Sequence, residues 1–207
     1  MGQVARIGWL LLAVLCGAGL WWGVTVLHPP LWLYPLVIGL IFIFYSNTLT
    51  ERVPLYLSNR TTWAALAQML DDFAVTTATD VRGAFIDLGC GLGGTLAYLA
   101  RSKPDWNFVG VETALGPYLI AKLRTVRFPN VQIRFQSLWK VDLASFDVAY
   151  AFLSPAPMPR LHAKAAAEMR PGSLLISNSF WADGQPFDGI VEVNDARATH
   201  LMFSKAK

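Results

Sequence analysis

Between Ile7 and Thr50 the chain has no aspartate, glutamate, lysine or arginine. An amphipathic surface helix needs a charged or polar face, so this stretch is not an ordinary solvated surface. Cysteine is nearly missing as well, with Cys16 and Cys90 the only two. Neither has a neighbour at metal-ligand spacing, which argues against a disulfide framework and against a cysteine-based metal site. A reducing compartment is the simpler inference. Long basic runs are also lacking. The net charge is only +3, and no Lys/Arg cluster reaches the density of a nucleic-acid arm, so neither nucleic acid nor metal is an expected partner. Arg52, Arg60, Arg101, Lys103, Lys122, Arg124, Arg127 and Arg134 suit an ordinary solvated surface or one that faces anionic lipid.

What the first quarter does contain is apolar length. Ile7 to Leu27 is 21 residues, about 31 Å as a helix, which matches a bilayer's hydrocarbon core. His28-Pro29-Pro30 breaks the run, and Leu31 to Asn47 resumes it. Trp21, Trp22, Trp32 and Tyr34 cluster at the break, where an aromatic belt would sit. The expectation is a two-helix transmembrane hairpin, residues 1–50, with spans of about 7–27 and 31–47. Arg6 precedes the first span and Arg52 and Arg60 follow the second, which puts both ends on the cytoplasmic side. A cleaved signal peptide fits poorly, since the apolar region is too long and a second one follows. A hydrophobic hairpin buried in a soluble protein is the other reading.

Residues 51–80 form a linker and a first helix. Trp63, Leu66, Met69, Leu70 and Phe73 recur at helical spacing over Thr61 to Phe73, with Ser58 or Asn59 as its cap. Asp71-Asp72 reads as a solvated helix end. The remaining residues, 81–207, read as one α/β domain. Ala84 to Leu88 is an apolar strand that runs into Gly89-Cys90-Gly91-Leu92-Gly93-Gly94 and then a helix. Strand, glycine loop and helix bring backbone N–H groups and a helix N-terminus to a nucleotide-like ligand.

Two cofactors fit that loop. As G-x-G-x-x-G it matches the dinucleotide fingerprint, with Glu112 placed to hold a ribose. With Asp87 added, Asp87-x-Gly89-x-Gly91-x-Gly93 resembles motif I of class I S-adenosylmethionine (SAM) methyltransferases. Asp87 favours SAM, because a carboxylate there engages a cationic amino-acid end and repels a pyrophosphate. Glu112, ending the strand Asn107 to Glu112, suits either cofactor. The chain also lacks the extra domain or Tyr/Lys constellation of a dehydrogenase. Cys90 reads as a small filler rather than a reactive thiol.

Further along, Leu115 to Phe128 is helical and Val131 to Phe135 is a third strand. Ser137 and Leu138 follow it as candidate adenine contacts, and Trp139 either stacks there or fills core. Phe146 to Leu153 is a fourth strand. Ser154 and Pro155 leave its C-terminal end, where α/β sheets place chemistry, and are the candidate substrate contacts. A helix over Met158 to Met169 and a strand over Ser173 to Phe180 come next. Ile190 to Val193 and Thr199 to Phe203 close the domain as a hairpin. The fold expected is a Rossmann-like seven-stranded sheet.

Leu138-Trp139-Lys140-Val141-Asp142-Leu143-Ala144-Ser145-Phe146-Asp147, Phe152-Leu153 and Met158-Pro159-Arg160-Leu161 resemble a family of membrane-anchored protein-lysine methyltransferases. Members of that family act on the adenine nucleotide translocase and the ATP synthase c-subunit. The resemblance runs from about Val53 to Phe180. The chain departs from it at Leu57-Ser58-Asn59-Arg60 and at Ser137. It implies SAM as cofactor, bound by Asp87, Gly89, Cys90, Gly91, Gly93, Glu112, Ser137 and Leu138. It also implies a lysine of a membrane-associated protein as substrate. The two apolar spans and their flanking arginines make a bacterial inner membrane, crossed twice with the catalytic domain cytoplasmic, the expected location. Methylation of a lipid-phase small molecule, and SAM binding without turnover, are the other two readings. No catalytic base is identifiable from the sequence.

Overall fold

The computed structural model describes residues 16–19, 21–23, 25, 28–50, 55–77 and 83–207. The chain divides into two compact units, Met1–Ile41 and Phe42–Lys207. In the first, most of the span expected over 7–27 lies outside the described residues, and residues 28–30 form a break without regular structure. Helix α1 (Leu33–Thr50) begins there and has no acidic residue in its first turn and no basic residue in its last. Among the described residues no helix is long and apolar enough to cross a membrane.

The second unit holds α2 (Arg60–Thr77), β1 (Ala84–Leu88), α3 (Gly94–Ser102), β2 (Asn107–Glu112), α4 (Leu115–Thr125), β3 (Val131–Phe135), β4 (Val148–Ala151), α5 (Met158–Glu168), β5 (Leu174–Asn178), β6 (Gly189–Glu192) and β7 (His200–Lys205). Seven strands make one sheet in the order β3-β2-β1-β4-β5-β7-β6. All pairs are parallel except those of β7, which is antiparallel to both β5 and β6. The expected terminal hairpin is therefore present.

Central strands buried on both faces need apolar residues at nearly every position, and β4 and β5 are buried throughout. Phe85, Phe108, Val148, Tyr150 and Ile176 face one core with Leu66, Leu70, Leu96 and Leu99 of α2 and α3. Ile86, Val109, Val111, Ala149 and Leu175 face the other with Met158, Leu161 and Ala165 of α5. Trp139 packs against that second core, with the Arg160 guanidinium 3.9 Å over its ring. Strand order reverses between β1 and β4, and sheets of this kind open a crevice beyond the C-terminal ends of such a pair.

Several boundaries differ from expectation. The fourth strand is shorter because Asp147 turns its side chain to the sheet's lower edge. Its Oδ2 accepts from Ala84 N at 2.8 Å, its Oδ1 from Arg170 at 2.7 Å, and its carbonyl from Leu174 N. The fifth ends at Asn178 because Ser179 takes φ +63°. Asp71 is paired with Lys103 rather than simply solvated. Replacing Asp147 with alanine removes the partner of the first N–H of β1. The expected cost is about 1–2 kcal/mol, read as a melting temperature lower by roughly 2–8 °C.

Candidate cofactor and substrate site

Registration sets Asp87 between Gly110 on β2 and Tyr150 on β4. A Cβ at Gly110 would stand 2.5 Å from Leu96 Cδ1 and 2.8 Å from Cys90 Sγ. Glycine is thus what lets α3 and the loop lie close against the sheet. The loop itself turns on Gly89, Gly91 and Gly93, at φ +87°, +52° and +71°. Its Gly89 and Cys90 N–H groups both donate to Val111 O at 3.0 Å. Cys90 is buried and burial pushes its thiol up, which fits the filler role.

Glu112 is the anchor of this loop. Oε2 accepts from Gly91 N at 3.0 Å, and Oε1 accepts from Thr113 N and Ala114 N at 2.7 and 2.8 Å. Gln136 N donates to the Glu112 carbonyl, which brings the turn after β3 against the same strand end. Ser137 begins the short 3-10 turn Leu138–Lys140. Leu138 is buried in the second core.

Asp87 has no such network. It is 3% exposed, and no hydrogen bond to its carboxyl is found among the described residues. Burial, reinforced by the nearby Glu112, pushes its pKa up to about 8. The carboxyl borders a cavity of about 210 Å³ shared with Gly89, Cys90, Tyr150, Phe152, Thr95, Ser58 and Tyr56. A buried acid without a partner, at the foot of a glycine cradle, is the donor set for a cation on a nucleoside. SAM carries an ammonium and a sulfonium, so these residues fit it.

Sequence reasoning missed the roof. Ser58 does not cap α2. Asn59 does so, its Oδ1 accepting from Thr62 N at 2.9 Å. Ser58 instead takes a hydrogen bond from Trp63 Nε1 at 2.7 Å and lies 3.1 Å from Thr95 Oγ1. A Cβ at Gly91 would stand 3.1 Å from Leu55 Cδ1, so the segment 55–59 covers the loop. Its far side is latched to the loop between β6 and β7. Asn59 donates to Asp195 at 2.6 Å and Arg197 to Leu57 O at 2.8 Å. Asp195 is held down at about 2, first by the Thr199 N–H and then by Asn59. Tyr56 stacks on Phe152 at 5.1 Å and meets Phe180 at 5.7 Å. Beneath them Asn178 Nδ2 donates to the Tyr150 hydroxyl at 3.1 Å. Burial and then Asp87 push that phenol above its usual range, against hydrogen bonds from Asn178 and Ser58. Ser154 is buried and Pro155 exposed, and neither lines the cavity, which Tyr56 and Phe152 border instead. Tyr150 and Asn178 lie within strands the sequence shows, and Tyr56 in a segment it leaves unassigned. That they converge was not visible in it.

The sign for Asp87 follows from its raised value. The folded state favours the protonated carboxyl, so its stabilising contribution is full below the usual carboxylate range and lost as pH rises through about 8. A bound cation favours the ionised form. SAM binding near pH 6.5 is therefore expected to release close to one proton. Affinity should climb about tenfold per pH unit and level off above pH ~8. Calorimetry in buffers of different ionisation heat measures both, and Asp87→Asn should abolish the proton release and the slope.

Residues 87–187 match the family model described as the ANTKMT methyltransferase domain. A curated trans-aconitate 2-methyltransferase of Deinococcus radiodurans is 32% identical over 93 residues, 44% of this chain and 35% of that protein. The chain thus aligns with about a third of that relative's length. An RNA methyltransferase from Salinibacter ruber, solved with S-adenosyl-L-homocysteine, superposes with a TM-score of 0.57 at 19% identity, over 72% of this chain and 93% of that one. A precorrin-6y C5,15-methyltransferase from Geobacter metallireducens gives 0.57 at 10% identity, over 76% and 96%. These likenesses establish the fold. Over residues 87–187 the chain is thus similar to the ANTKMT methyltransferase domain, and its seven-stranded sheet has the fold of those solved methyltransferases.

Proposed function

We propose that the protein transfers the methyl group of SAM to the side-chain amine of a lysine on a membrane-associated protein. The observation that carries this reading is the aromatic pair Tyr56 and Phe152 bordering the Asp87 cavity, with Phe180 packed against Tyr56. An alkylammonium is attracted to aromatic faces and passes between them more readily than an anion does. The match of residues 87–187 to the ANTKMT methyltransferase domain supports the same substrate class.

The cofactor, when bound, supplies an electrophilic methyl on a positively charged sulfur. Methyl transfer from such a leaving group needs little covalent help, so the protein's work is placement and exclusion of water. Asp87 holds the cationic end and Glu112 stands at the ribose position. Tyr56 and Phe152 wall the approach and exclude water from it. Tyr150 and Asn178 offer a fixed hydroxyl and amide beneath that approach. The chain has no buried general base beside the aromatic mouth among the described residues other than Asp87, and Asp87 is assigned to the cofactor.

The uncharged stretch from Ile7 to Thr50 supports an anchor of two bilayer spans, with the catalytic domain on the cytoplasmic side of a bacterial inner membrane. Such a tether keeps the domain beside lysines at the lipid boundary. The experiment that tests the reading adds methyl-labelled SAM and purified protein to membranes from a deletion strain. Label on lysine of a membrane protein is the expected result. Label confined to the lipid extract would move the substrate to a lipid-phase small molecule, and no label with SAM still bound would mark a protein without turnover. In the same assay Phe180→Ala should lower kcat/KM for the protein substrate about tenfold, with SAM affinity unchanged by calorimetry.

A further inference from the structure

We propose that the outer face of α4, with the arginine-lined groove beside it, docks on the surface of an anionic phospholipid bilayer. This contact would be additional to any N-terminal anchor and does not depend on one. Leu115, Leu119, Leu123 and Val126 are 44–78% exposed. Their i, i+4, i+8, i+11 spacing places them in one stripe along the helix. The buried side of α4 is made instead by Gly116, Pro117, Ala121 and Thr125. Uncovered leucines in a row mark a surface that meets something apolar.

The flanks of the stripe are cationic. Lys122, Arg124 and Arg127 are exposed, and from Thr113 to Val141 the sequence has five basic residues and no acid. Beside α4 lies a groove of about 750 Å³ into which Arg60, Arg101, Arg124 and Arg127 converge between Trp63 and Tyr98. None of these four guanidiniums is ion-paired among the described residues, where the pairs are Lys103–Asp71, Lys164–Glu168 and Arg170–Asp147. Four uncompensated guanidiniums on one concave wall are matched by phosphate oxygens, which arginine holds with two parallel hydrogen bonds. A nucleic-acid backbone would satisfy the arginines and leave the leucines in water. An anionic bilayer satisfies both, headgroups on the cations and acyl chains on the stripe.

Continuity supports the same occupant. A Cβ at Gly116 would stand 3.0 Å from Ile43 Cγ2 and 3.1 Å from Phe44 Cε2, so the stripe starts where apolar residues preceding the domain already pack.

The test uses the full chain with Cys16→Ser and Leu123→Cys, labelled with an environment-sensitive fluorophore. Cys90 is buried and stays unlabelled. Vesicles contain phosphatidylcholine alone or with phosphatidylglycerol. The expected result is a blue shift with phosphatidylglycerol only, reversed by high salt. A label at Asp183→Cys, on the exposed loop after β5, should not shift. Adding Arg101→Gln, Lys122→Gln and Arg127→Gln should lower the surface affinity about a hundredfold. An unchanged melting temperature in that variant assigns the loss to charge rather than unfolding. No shift with either lipid, a salt-insensitive shift in phosphatidylcholine alone, or a shift produced by RNA and not by vesicles would each overturn the proposal.

Discussion

Three backbone N–H groups converge on one buried carboxylate, Glu112, and the geometry of the site descends from that arrangement. A carboxylate cannot be buried cheaply without hydrogen bonds. Glu112 obtains them from the glycine loop on one side and from the start of α4 on the other. Loop, helix and strand end are therefore held as one piece. Gly93 lies so close to α4 that a Cβ there would be 2.9 Å from that of Ala121. α3 and α4 thus pack backbone against backbone, and the loop cannot drift without moving both.

Two acids of similar burial meet different fates here. Glu112 is 5% exposed and Asp87 is 3% exposed. Glu112 ends β2 where the chain turns back, so fresh N–H groups surround it. Asp87 sits inside β1, whose own N–H groups are used by the ladder, and its side chain reaches only the cavity. Its electrostatic demand is left for a ligand to meet. The site selects a cation by leaving one carboxyl without a partner, not by collecting charge.

The sheet was legible in the sequence because buried strands must be written as apolar runs, and β1 and β2 fall where those runs lie, while β3 at the sheet's edge shows itself by alternation. The glycine loop was legible because no other residue accepts its three left-handed turns as readily. Edges were less so. Phe152 and Leu153 are as apolar as the strand before them, yet they leave it as the crevice opens. Helix α2 runs to Thr77 rather than Phe73, since its last turn has no stop signal. The roof of the site was not legible at all. Asn59 and Asp195 are 136 positions apart, and no local pattern encodes so distant a pairing. Tyr150 reads as strand filling until the register puts its hydroxyl beside Asn178.

That distant pairing also orders events in time. The segment that roofs the cavity is made early, directly after the apolar first quarter. The loop that latches it is made 136 positions later. A chain under synthesis, even one whose first helices have already found their place, has the cradle and lacks the latch. The site is thus roofed only after the loop beyond β6 has been made, and a truncation that spares every cofactor residue but removes β6 and β7 leaves the roof with nothing to fasten to.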